Sequence, residues 1–141
     1  MEKGIRFKLV WEDSDLLEIA LFAWNGEFGG LAHMYLGHGE LVEIAKSLGG
    51  FPQSSKDERR IEMGDFNSDS FGGAILRFYT KDMAGHAAVE ISLHAGAHRA
   101  GHVQTVTLHA PLEAAALDDF VTELRKLEDQ VGSTAFLKTN L

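Results

Sequence analysis

The chain has 141 residues, 45% of them hydrophobic and 24% charged, with no cysteine and a formal net charge of −8 from 21 acidic and 13 basic side chains. That length buries about 70% of the unfolded surface around one core, so a single domain over residues 1–141 is expected and a disordered chain is not. The missing cysteine excludes disulfides and thiolate metal centres, and the acidity, with no clustered Lys and Arg, argues against a nucleic-acid partner.

The opening MEKGIRFKLV carries no apolar leader core. No apolar run in the chain approaches the roughly 18 residues of a membrane span, so a cytoplasmic protein without membrane contact is expected. Ile5, Phe7, Leu9 and Trp11 alternate with Arg6, Lys8, Val10 and Glu12, which predicts a first strand. WEDSD makes a turn into a second strand, where Leu17, Ile19, Leu21 and Ala23 face one way. Its other side, Leu16, Ala20, Phe22 and Trp24, is also apolar apart from Glu18, the pattern of a central strand covered on both faces. Asn25-Gly26 is a turn signal, and a third strand near Gly29 to Leu36 brings His33 and Tyr35 to one face.

From Gly39 to Leu48 the period changes: Leu41, Ile44, Ala45 and Leu48 have helical spacing, and Gly49-Gly50 supplies the stop. Strands are expected near Arg60 to Phe66 and Gly73 to Thr80. A β-hairpin follows, with Ala87, Val89, Ile91 and Leu93 on one face of its first strand. Val106, Leu108, Ala110 and Leu112 share a face of the second. Leu117, Phe120, Val121, Leu124, Leu127 and Val131 then make the apolar stripe of a last helix that ends at Gly132. The expected fold is α+β: an antiparallel β-sheet of about seven strands, in the order βββαββββα, with two helices packed against it.

Catalytic signatures are missing from the sequence: no G-x-x-x-x-G-K-[ST], no H-E-x-x-H and no G-x-S-x-G occurs. The paired glycines at element boundaries read as turns and caps rather than a ligand cradle, and no cofactor is implied. Histidines on the hairpin are the chief candidates for chemistry. His94, His98 and His102 are spaced by four, but Gly96 and Gly101 flank the middle one, so a hairpin loop is expected there instead of a helix. A register that sets His94 opposite Val103 sets Glu90 opposite Thr107 and Ala88 opposite His109. His86, Glu90 and His109 then share a face, with His94 nearby, as ligands for Zn²⁺ or Fe²⁺ or as an acid–base pair. The competing reading is the ordinary polar face of a sheet. A second group, Phe22, Trp24, His33 and Tyr35, is either covered by a helix or left open as a surface for a partner or a second copy.

Three stretches, ELVEIAKSLGGFP, GGAILRFYTKDMAGHAAVEISL and PLEAAALDDFVTELRKL, occur in an order that resembles small bacterial domains grouped with the WapI-type immunity proteins of contact-dependent toxin systems. The resemblance spans about Glu40 to Leu127 and includes the D-x-x-G-H turn at Asp82 to His86. It implies a mixed sheet-and-helix domain that binds a protein, and it carries over no functional residue. Three functions stay open: a non-enzymatic, immunity-like domain whose acidity suits a basic toxin, a metal-dependent or acid–base enzyme built on the hairpin, and a homodimeric structural domain.

Overall fold

The structure is a computed structural model that describes residues 1–82 and 86–139. The chain is α+β, with eight described strands in two antiparallel sheets of four rather than one sheet of seven. The first sheet has the order β3-β2-β1-β8, from β1 (Gly4–Glu12), β2 (Leu16–Trp24), β3 (Gly29–Gly37) and β8 (Thr134–Lys138). The second has the order β4-β5-β6-β7, from β4 (Glu58–Gly64), β5 (Gly73–Thr80), β6 (Ala87–Ala95) and β7 (Gln104–Leu112). Alternation along a strand says which side chains are buried and nothing about which strand lies beside it, so the split into two sheets was not readable from the pattern.

Helix α1 (Glu40–Leu48) carries the chain from the first sheet to the second, and α3 (Ala114–Lys126) carries it back to β8. The eighth strand was missed because it is short and follows a helix stop. Ala135 and Leu137 are buried on it, opposite Phe7 and Ile5 of β1. Val131 leaves the expected stripe. The helix tightens into a 3₁₀ turn over Leu127–Asp129, and Val131 emerges exposed beyond it.

One hydrophobic cluster joins the inner faces of both sheets to α1 and α3. Phe120 of α3 meets Phe7 edge-on at 5.3 Å between ring centroids, and Phe51 meets Phe78 at 6.1 Å. Strand β3 touches all four strands of the second sheet, so it is the seam between the two layers. Pro111 sits in β7, the edge strand, where a residue without an N–H costs no ladder bond on the open side.

Two local expectations are corrected by the pairing. Strand β2 is central, but only its Leu17, Ile19, Leu21 and Ala23 side is fully buried, and the Phe22 and Trp24 side is half-buried. Trp11 does not follow Leu9 into the core. A bulge at Val10 shifts the register so that Trp11 pairs with Glu18, which moves its side chain to the outer face.

Candidate functional site

The ladder fixes which outer-face side chains are neighbours. Across the first sheet, Trp11, Glu18 and Tyr35 form one row, and Thr134, Lys8, Ala20 and His33 form the next. Phe136, Arg6, Phe22 and Leu31 follow, and Trp24 lies one row further, opposite Gly29. Phe22, Trp24, His33 and Tyr35 therefore do share a face. His33 and Tyr35 sit at one end of it, under a loop, and Phe22 and Trp24 lie toward the other.

That loop, residues 65–72, joins β4 to β5 and is organised by local bonds. Ser68 Oγ accepts from the backbone N–H of Ser70 at 3.0 Å and of Phe71 at 3.1 Å. It is fastened to the tip of the β6–β7 hairpin, where a one-turn helix, α2 (Ala97–Ala100), replaces the expected irregular loop. The α2 backbone donates from Ala97 N to the Asp69 carbonyl at 2.8 Å, and from His98 N to the Ser70 carbonyl at 3.0 Å. Two glycines permit this approach. A Cβ on Gly72 would lie 2.1 Å from the His33 carbonyl oxygen, and one on Gly96 would lie 2.4 Å from Ser70. Their role here is close packing of backbones, which turn or cap assignments do not capture.

Between this bolted tip and the sheet lies a cleft of about 300 Å³. Glu18, His33 and Tyr35 line its sheet side, Ser70 and Phe71 one wall, and His98, Arg99 and Gln104 the other. Aromatic rings run along it in an edge-to-face chain. Trp11 and Tyr35 are 6.4 Å apart, Tyr35 and Phe71 are 5.9 Å apart, and the His98 imidazole is 5.5 Å from the Phe71 ring. Trp11, Leu31, Tyr35 and Phe71 all remain exposed. His33 Nδ1 is 3.0 Å from Glu18 Oε2, and Arg99 Nη1 reaches the same oxygen at 3.7 Å.

The histidine and glutamate candidates on the second sheet are distributed differently. Glu90 pairs directly with His109, and Ala88 pairs with Pro111, so the true register is displaced by two residues from the expected one. Glu90 and His109 are thus brought together, with Nε2 3.5 Å from Oε2. His86 and His94 are each four residues from Glu90 along β6, about 13 Å at strand rise, and lie on opposite sides of it. His86 is mostly exposed and bonds Asp82 through Nδ1 at 2.7 Å, while residues 83–85 of the D-x-x-G-H turn lie outside the described residues. His94 is buried, because the 65–72 loop covers it: its Nε2–H donates to the Ser68 carbonyl, and the Phe66 ring lies 5.4 Å away. Among the described residues, no three His, Asp or Glu side chains converge as a metal site.

Around Glu90 the network closes on itself. Arg77 Nε and Nη2 meet its two carboxylate oxygens at 3.3 and 3.4 Å, and Arg77 Nη1 meets Glu58 at 2.7 Å. The guanidinium also stacks 4.4 Å from the centre of the Tyr79 ring, whose hydroxyl is 3.0 Å from His109 Nδ1. The Arg77 hydrogen bonds hold the Glu90 carboxyl below its usual pKa, against the opposing effect of burial.

No protein-family model matches this chain, and no curated protein or solved structure matches it at a significant level.

Sequence reasoning missed Trp11, Phe71, His98 and Arg99 as lining and neighbours of the cleft. The Asn25-Gly26 turn held a signal for Glu18, since pairing back from that turn sets Glu18 opposite Tyr35. Asn25 Oδ1 accepts from Glu27 N and Phe28 N at 2.9 and 2.8 Å, which fixes that four-residue connection. Phe71 arrives on the 65–72 loop and Arg99 on α2, both remote in sequence from β2 and β3, and no local pattern announces them.

Proposed function

We propose that this chain is a non-enzymatic protein-binding domain, and that the aromatic cleft on the outer face of its first sheet is where the partner sits. The observation that carries this reading is the exposed chain of rings, Trp11, Tyr35 and Phe71, flanking a cleft with polar groups at its base. Exposed aromatics grouped around a concavity are the usual anchors of interfaces, where they bury large area at small entropic cost. The resemblance to WapI-type immunity domains points the same way, with a toxin as the kind of partner.

The acid–base alternative on the hairpin has less support. Glu90 has its charge committed to Arg77, and the Tyr79, His109 and Glu90 side chains lie on the outer face of the second sheet, away from the cleft. A homodimer through the same aromatic face is the other occupant to separate.

Affinity capture from lysate of the source cells tests the reading, with wild type beside a Tyr35→Ser/Phe71→Ser variant of unchanged melting temperature. A discrete partner captured by wild type and lost by the variant is expected. Equal capture by both would contradict the assignment of the face. Capture of nothing but a second copy of the chain would replace the partner with self-association.

A further inference from the structure

The charges around the cleft decide what it can hold. Glu18 is the one carboxylate in the described lining, it is 17% exposed, and its Oε2 is already met by His33 Nδ1. Arg99 approaches that oxygen only at 3.7 Å and stays 59% exposed. So long and wet an ion pair contributes about 0–1 kcal/mol, and the guanidinium is free to turn outward. A guanidinium is a fork of N–H donors matched to a carboxylate. Gln104, Ser70 and Tyr35 add further donors to the lining. On the next row Lys8 is separated from His33 only by Ala20, whose methyl group cannot screen it, and Arg6 lies one row beyond. Among the described residues, neither Lys8 nor Arg6 forms an ion pair. A chain with net charge −8 therefore presents a locally basic face.

We propose that the cleft receives a carboxylate side chain from an acidic segment of the partner protein, with Arg99 turning from Glu18 to meet it and the segment continuing over Lys8 and Arg6. This rests on the partner-binding reading above and supplies its chemistry. The chain's net charge steers a basic partner at long range, while the cleft selects an acidic segment at contact. A cleft of about 300 Å³ suits a side chain better than a run of nucleotides.

The test is an amide-resolved NMR titration of the full ¹⁵N-labelled chain near neutral pH with hexaglutamate, hexalysine or a short single-stranded oligothymidylate. Wild type, Arg99→Ala and Arg77→Ala are compared. Hexaglutamate is expected to shift the amides of His33, Gly96, Arg99 and Gln104 saturably. Binding should fall at least about tenfold in Arg99→Ala, the worth of a charge-assisted forked bond, and stay unchanged in Arg77→Ala. No saturable shift at those amides, equal or tighter binding of hexalysine or the oligonucleotide, or an undiminished affinity in Arg99→Ala would each overturn the proposal. If hexaglutamate fails while the Tyr35→Ser/Phe71→Ser variant still loses a captured partner, the carboxylate chemistry falls and the partner-binding reading survives. Failure of both removes both.

Discussion

The two sheets bury equivalent inner faces, and their outer faces differ in how their charges are spent. On the second sheet Arg77 is gripped by Glu58 and Glu90, stacked on Tyr79, and linked through Glu90 and Tyr79 to His109. Over the first sheet, among the described residues, Arg6 meets the Phe136 ring at 5.1 Å and forms no ion pair, and Arg99, reaching across from α2, meets Glu18 at a long 3.7 Å. A cross-strand network whose donors and acceptors match needs no ligand and adds to stability. A face with loosely held cations and exposed rings gains by meeting something else. Charged residues alone do not mark a site, and the state of their partners separates the two faces.

Substitutions sharpen that contrast, beginning with the largest expected effect. Gly72→Ala drives a methyl group into the His33 backbone carbonyl, which cannot rotate away. It should cost about 3 kcal/mol and disturb the cleft, because overpacking at a backbone contact forces strands apart. Denaturant melts together with the amide shifts of His33 and Gly96 measure both effects. Arg77→Ala should cost about 1 kcal/mol, since it opens a half-buried network on the closed face. Arg99→Ala should change stability by less than about 0.5 kcal/mol while weakening hexaglutamate binding at least about tenfold. Equal stability losses for the two arginines would erase the distinction between the faces.

The smallest effect is a slope with pH, from a clasp that belongs to neither face. His38 Nδ1 lies 3.0 Å from Glu128 Oε2, and its Nε2 lies 2.8 Å from the Asp13 carbonyl. The Glu128 hydrogen bond, and then the Asp13 carbonyl, raise the His38 pKa above its ordinary value. A raised folded-state value gives stability that is fully present below the unfolded pKa, about 6.5, and lost as pH rises through the folded one. Burial pushes Glu128 up, but the Gly39 N–H and His38 outweigh it and hold it below the ordinary carboxylate value. Its contribution is therefore present above the unfolded carboxylate pKa and is lost as pH falls through the depressed folded one. Melts from about pH 6 to about pH 8.5 should show wild type losing stability that His38→Gln never had, so the variant's profile is flatter. Parallel profiles would show that the clasp does not form in solution.

Period and turn chemistry revealed much of this molecule and stopped at identifiable places. Alternation gave the inner face of the hairpin correctly, from Ala87 to Leu93 and from Val106 to Leu112, because a half-buried strand writes its pattern residue by residue. It placed Trp11 wrongly because one inserted residue, Val10, reverses parity without any compositional mark. The alternation puts His94 on the outer face, where it points, yet it is buried by a loop whose path depends on Gly72 and Gly96 packing against distant backbone. The cleft was half legible. His33 and Tyr35 announced themselves by sharing a strand face with Phe22 and Trp24, and Phe71, His98 and Arg99 reach it only through tertiary closure.

Site-specific photo-cross-linking in the source cells tests the central claim most directly, with p-benzoylphenylalanine placed at Tyr35 on the open face or at Tyr79 on the closed one. A discrete heavier adduct from position 35, containing a second protein and absent from position 79, is the predicted result. No adduct at position 35, or the same adduct from both positions, would contradict the account.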